Sequence, residues 1–223
     1  MKRVVYLILV SLLAFTSCKK DSNPTSPTEE AATVTYAGKV YHTVKIGNQT
    51  WLKENLDVGV MIDSMQNPSD NGTIEKYCYR NDTANCSKYG GLYRWDEAMA
   101  YDTANGAKGI CPEGWHIPSK AEFGTLAAAV HNNSNSLKAI GEGMGSGAGT
   151  DSSGFSALLA GGGNNSSGFP SEFYGLGEYA FFWSSTAGGA IDSYFLYLYG
   201  FGSGSHLVNN GKRFGNSVRC IKN

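Results

Sequence analysis

Cys111-Pro112-Glu113-Gly114-Trp115-His116-Ile117-Pro118-Ser119-Lys120-Ala121-Glu122-Phe123 is the stretch on which the fold reading turns. Cys111 to Trp115 has the residues of a turn leading into a short strand. Ser119 then stands three residues before Glu122, the spacing of a capping box: each side chain satisfies a backbone N–H left open at a helix start. Phe123, Leu126, Ala127 and Val130 fall on one helical face, so a helix is expected from Lys120 to about His131. A shorter helix is expected over Leu92 to Tyr101, where Trp95, Ala98 and Met99 recur at i, i+3 and i+4. Further out, Thr33 to Leu52 alternates and is punctuated by Gly38-Lys39 and Gly47-Asn48, which predicts a hairpin or meander. Phe155 to Ala160, Tyr179 to Ser184, Tyr194 to Tyr199 and Ser217 to Lys222 read as later strands. Between them, Asn132 to Gly154 and Gly161 to Gly177 read as long loops rich in Gly, Asn and Ser. Strands, two short helices, then antiparallel strands define an α+β class.

The totals agree with one globular domain. The chain has 223 residues, 41% hydrophobic and 17% charged, with a formal net charge of -1. Such a near-balance lacks the basic excess that nucleic-acid binding requires. Its 29 Gly, 13 Tyr and 10 Phe favour turns and short strands over a helical bundle.

The N-terminus reads as an address. Met1-Lys2-Arg3 is a positive start, and Val4 to Phe15 is apolar except for Ser11. That length suits an export signal and is short for a membrane span. Phe15-Thr16-Ser17-Cys18 resembles a lipobox, so cleavage before Cys18 and lipidation of its thiol are expected. The expected divisions are a signal peptide at 1–17, a lipidated Cys with a disordered tether at 18–32, and a folded domain at 33–223. Acyl chains on Cys18 would hold the protein to the cell envelope without a spanning helix. Lys19, in place of Asp, favours the outer membrane, facing either the periplasm or the surface.

Four cysteines follow Cys18. In an exported domain, Cys78, Cys86, Cys111 and Cys220 imply two disulfides with three possible connectivities. The short separation favours Cys78 with Cys86, which leaves Cys111 for Cys220. The spacing does not suit a zinc ribbon.

Several blocks together carry a family resemblance. They are Thr43-Val44-Lys45-Ile46-Gly47-Asn48-Gln49-Thr50-Trp51, Leu52-Lys53-Glu54-Asn55-Leu56, Tyr89-Gly90-Gly91-Leu92-Tyr93-Arg94-Trp95, and Cys111 through Ser119. Gly154-Phe155-Ser156-Ala157-Leu158, Phe182-Trp183-Ser184-Ser185-Thr186 and Ser217-Val218-Arg219-Cys220 complete the set. In this order they resemble the Fibrobacter succinogenes major paralogous domain over nearly all of residues 33–223. The resemblance implies export, often as a lipoprotein, and no particular activity. Ile117-Pro118-Ser119, Ala121-Glu122-Phe123 and the closing Val218-Arg219-Cys220 also resemble the formylglycine-generating-enzyme branch of C-type-lectin-like folds. That implies a last strand returning beside the first, which a Cys111–Cys220 bond would suit. Formylglycine generation needs reactive cysteines, and pairing all four excludes it here. The calcium-ligand triplets of the sugar-binding lectins are absent. Trp183-Ser184-Ser185 stands where one would be expected, and Ser is a poor calcium ligand.

Little else in the chain signals chemistry. His42, His116, His131 and His206 have no ligand spacing to one another or to Cys, so neither metal nor cofactor is expected. Gly141-Glu142-Gly143-Met144-Gly145 lacks the context of a phosphate loop. Asp96-Glu97 reads as a pair of solvated charges on a helix start. Trp51, Trp95, Trp115 and Trp183 read as core. The candidate recognition element is the Gly161–Gly177 loop, where Asn164 and Asn165 offer amides and Phe169, Phe173 and Tyr174 offer ring faces. The expected role is a noncatalytic surface binding or adhesion module for an extracellular glycan or an envelope protein. The alternatives are a structural or assembly component of the envelope and, behind it, an enzyme.

Overall fold

The computed structural model describes residues 32–164 and 172–223. Cys18, Asn165 and Phe169 lie outside the described residues, as do the signal segment and nearly all of the tether.

The N-terminal meander forms as its turn chemistry requires. Strand β1 (Thr33–Tyr36) pairs antiparallel with β2 (Lys39–Ile46), which pairs with β3 (Gln49–Leu52). Ala37 and Gly38 have φ of 49° and 76°, the two positive values of a tight hairpin turn. Next come the short parallel pair β4 (Val60–Met61) and β5 (Glu75–Lys76), then helices α1 (Thr83–Tyr89) and α2 (Trp95–Ala98). Strand β6 (Trp115–His116) leads into α3 (Lys120–Ala129). Both halves of the predicted capping box are present at Ser119 and Glu122. After a long irregular stretch the chain forms β7 (Ala160–Asn164), β8 (Glu172–Leu176), β9 (Tyr179–Ala187), β10 (Asp192–Tyr199), β11 (Ser205–Gly211) and β12 (Ile221–Lys222).

Two five-stranded sheets result, in the orders β1-β2-β3-β12-β6 and β11-β10-β9-β7-β8. The last strand therefore lies inside the N-terminal sheet, between β3 and β6. Beside it, Cys220 is bonded to Cys111, while Cys78 is bonded to Cys86. One core lies between α3 and both sheets, where Phe123, Leu126 and Val130 meet Trp51, Phe155, Phe182, Leu196 and Leu198. Trp51 stacks on Phe123 at 5.5 Å. A second core gathers Trp95, Trp115 and Trp183 with Leu52, Ile117 and Val218. All four tryptophans are buried.

Two buried cations knit these layers. The Arg219 guanidinium donates from Nε and Nη2 to Asn55 Oδ1 (3.2 and 2.6 Å) and from Nη1 to the Phe155 carbonyl. It also lies 4.4 Å from the Phe155 ring centroid. Burial lowers its pKa to about 9, which leaves it charged at neutral pH. Lys138 Nζ donates to the carbonyls of Tyr199 (2.7 Å) and Gly202 (2.9 Å), pinning the β10–β11 turn.

The structure departs from the sequence expectations at several elements. Helix α1, which carries Cys86, was not foreseen. Helix α2 occupies four residues, much less than Leu92 to Tyr101. Phe155–Leu159 is irregular, and Ser156 takes a φ of 55° that strand geometry does not allow. The Gly161–Gly177 segment contributes two paired strands, β7 and β8. Strand β11 has an unforeseen partner in β10, and β7 runs parallel to β9. Asp96 is exposed, but Glu97 is buried: it accepts hydrogen bonds from Glu75 N and Tyr101 Oη (both 2.9 Å). Burial raises its pKa.

Candidate functional site

Side chains alternate across a strand, so the register of the second sheet decides which rings meet. Phe181 of β9 stands opposite Tyr197 of β10, which stands opposite His206 of β11. On the other side, Gly162 of β7 stands opposite Tyr174 of β8. Since β7 runs parallel to β9 with Gly161 opposite Ala180, Gly162 falls beside Phe181 on the same face. One row therefore crosses five strands: Tyr174, Gly162, Phe181, Tyr197, His206. Its second position, Gly162, holds no side chain, and Tyr174 leans over that glycine to reach Phe181. The ring centroids follow at 5.6 Å for Tyr174–Phe181, 5.5 Å for Phe181–Tyr197 and 5.8 Å for Tyr197–His206.

Parallel rows flank it. Tyr179 pairs with Tyr199, their rings stacked at 5.5 Å and 16°. On the other flank, Trp183, Phe195 and Val208 are in register, with the Trp183 and Phe195 rings edge to face at 5.8 Å. The Trp183 end of this face enters the second core. Toward β11 the face opens into a groove of about 520 Å³ lined by Tyr174, Tyr179, Phe181, Phe195, Tyr197, His206, Val208 and Asn210. Phe181 and Phe195 form its buried floor, whereas His206, Val208 and Asn210 are exposed on its rim.

The lining holds no Asp, Glu, Lys or Arg. Burial pushes the Tyr174 hydroxyl up to about 12. Burial and the neighbouring Tyr179 and Tyr199 also raise Tyr197. These hydroxyls stay neutral donors across the physiological range. The site thus combines ring edges with hydroxyl, imidazole and amide groups.

The sequence-derived candidates divide between two faces. Tyr174 belongs to the groove. Phe173, its neighbour in β8, turns the other way and packs on Tyr79 at 5.1 Å. Asn164 ends β7, in register with Glu172.

A second recess, of about 390 Å³, lies between Lys39, Lys53, Glu54, Asp57, Lys88 and the buried Arg219. Asp57 is held there by ion pairs with Lys39 and Lys76. Two histidines pair with carboxylates: His42 Nδ1, at an exposed position of β2, lies 2.8 Å from Glu54 Oε1, and His116 Nε2 lies 2.9 Å from Glu122 Oε1. His116 Nδ1 faces Asn223 Oδ1 at 2.7 Å, so both of its ring nitrogens are engaged and neither is open to a substrate. Among the described residues, no three His, Cys, Asp or Glu side chains gather as a metal would need, and no helix is long and apolar enough to cross a membrane.

The blocks that shape this scaffold are those of one family, whose profile matches residues 44–222. The chain belongs to the Fibrobacter succinogenes major domain family. No curated protein and no solved structure matches it. The groove of this Fibrobacter succinogenes major domain includes residues that sequence reasoning passed over: Tyr179, Phe181, Phe195, Tyr197, His206, Val208 and Asn210. Alternation of aromatics in Tyr179–Phe181 and Phe195–Tyr197–Tyr199 was the available signal. It marks a second apolar face on strands whose first face already fills the core.

Proposed function

We propose that this protein is a noncatalytic binding or adhesion module of the cell envelope, with glycan or protein as its ligand. In this reading residues 1–17 are a lipoprotein signal peptide, Cys18 carries the lipid, 18–32 are a tether, and 33–223 are the binding domain, anchored at the outer membrane. The aromatic groove carries the reading. A contiguous apolar face left open on an otherwise well-buried domain marks an interaction site. We further propose a C-type-lectin-like fold, supported by β12 returning into the N-terminal sheet, by the Cys111–Cys220 closure and by the long loops after α3.

One observation favours a structural role as the second reading. Phe181 and Tyr197 stack at 13°, so part of their ring area is spent on each other, as in ladders that only stabilise a sheet. Binding to a panel of soluble glycans and envelope proteins separates the two readings. A binding module loses its ligand when Tyr197 is replaced by Ala in a folded variant. A structural component shows no groove-dependent ligand.

A further inference from the structure

We infer that the groove takes a neutral, extended polysaccharide and does so without calcium. This deepens the binding-module reading and rests on it. Three features of the site point to this ligand class. First, the lining contains no Asp, Glu, Lys or Arg. An anionic polymer or a charged peptide would find no counter-charge there, and burying its charge unpaired would oppose binding.

Second, the central row is periodic. Rings from β8, β9, β10 and β11 follow one another at 5.6, 5.5 and 5.8 Å: adjacent strands space the last three, and Tyr174 closes the wider gap across β7 by leaning over Gly162. That spacing is close to the length of one pyranose residue in an extended glycan. A chain lying across the strands would meet one ring per sugar. Third, stacking within the rows leaves ring edges and tyrosine hydroxyls facing the groove, with His206 and Asn210 on the rim. A sugar presents the same alternation of C–H surface and hydroxyl groups. Calcium has no place in this arrangement, because the lining offers no carboxylate to hold it.

The test measures binding of the purified, disulfide-bonded protein to neutral polysaccharides (glucan, xylan, mannan) and to charged ones (polygalacturonate, heparin), each with calcium and with chelator. Graded neutral oligosaccharides give the site length. The expected result is saturable neutral-glycan binding that is indifferent to chelator and rises with length to about four sugars, one per ring. Tyr197→Ala should weaken it roughly tenfold or more. His206→Ala and Asn210→Ala, exposed and harmless to the core, should each weaken it by a smaller factor. Loss of binding in chelator, or neutral-glycan binding untouched by all three variants, overturns the inference. A charged polymer or a protein that binds and is lost in Tyr197→Ala also overturns it, while leaving the binding-module reading intact. If no ligand of any class depends on the groove, both readings fall.

Discussion

Gly162 offers a test of the groove that leaves its ring residues unchanged. The glycine needs no unusual backbone, so a side chain is opposed by space alone. A Cβ there would stand 3.2 Å from Phe181 Cδ2, 3.2 Å from Tyr174 Oη and 3.3 Å from the Gly215 carbonyl oxygen. All three are tight, and the last belongs to the backbone. Replacing a strand glycine contributes about 0.5–1 kcal/mol through the unfolded chain. Overpacking costs about 1–3 kcal/mol. Gly162→Ala should therefore be destabilised by up to about 2 kcal/mol, and Gly162→Val by more, with Tyr174 displaced from Phe181. Gly163 is the internal control, since its Cβ would meet nothing closer than Phe173 at 3.5 Å. Gly163→Ala should be neutral or slightly stabilising. Urea unfolding measures both stabilities, and near-ultraviolet circular dichroism reports the tyrosine environment. If Gly162→Val were as stable as Gly163→Ala with an unchanged aromatic spectrum, the seating of Tyr174 over Gly162 would be refuted.

Other perturbations test the frame around the groove. Arg219→Met should cost about 2–4 kcal/mol by urea unfolding, because it strands Asn55 Oδ1 and the Phe155 carbonyl in the interior. Replacing Cys111 and Cys220 with Ser should cost about 4–5 kcal/mol, the loop-closure value for a bridge of this sequence separation; unchanged stability would show that the bridge does not constrain the unfolded chain. The His116–Glu122 pair should shape the pH profile. Burial opposes ionisation of Glu122, but hydrogen bonds from His116, Ser119 N and Ser119 Oγ outweigh it and lower the carboxyl to about 2. Its stabilisation is complete above the unfolded value near 4.5 and is lost as pH falls toward 2. The hydrogen bond to Glu122 raises His116, so its stabilisation is complete below the unfolded value near 6.5 and is lost as pH rises through the raised one. Stability from the pair should peak between those unfolded values, and His116→Gln should flatten the alkaline side by about 1 kcal/mol.

Much of the scaffold was legible because its signals are local. The capping box at Ser119 and Glu122, the hairpin glycines and the helical face of Phe123, Leu126 and Val130 each act within a few residues. Short helices were harder. Helix α1 starts from an Asp82 cap that is followed by no apolar stripe, and α2 is too brief for periodicity to set its ends. Glu97 looked solvated because its neighbour Asp96 is, yet the β5 backbone and Tyr101 enclose it.

By itself, the sequence determined the α+β class, the helix start at Ser119, the meander at Thr33–Leu52 and the family. Cysteine spacing also favoured the two disulfides that the structure contains. Only the tertiary structure decided the groove. Its row joins residues of β7, β8, β9, β10 and β11, and membership depends on register, where a slip of one residue would send every ring to the opposite face. The same rule separates Phe173 from Tyr174, which are adjacent in the chain and lie on opposite sides of the sheet. Composition cannot show that the glycine at 162 is the gap that lets Tyr174 reach Phe181, because the strand that supplies the gap and the strand that needs it are brought together only by folding.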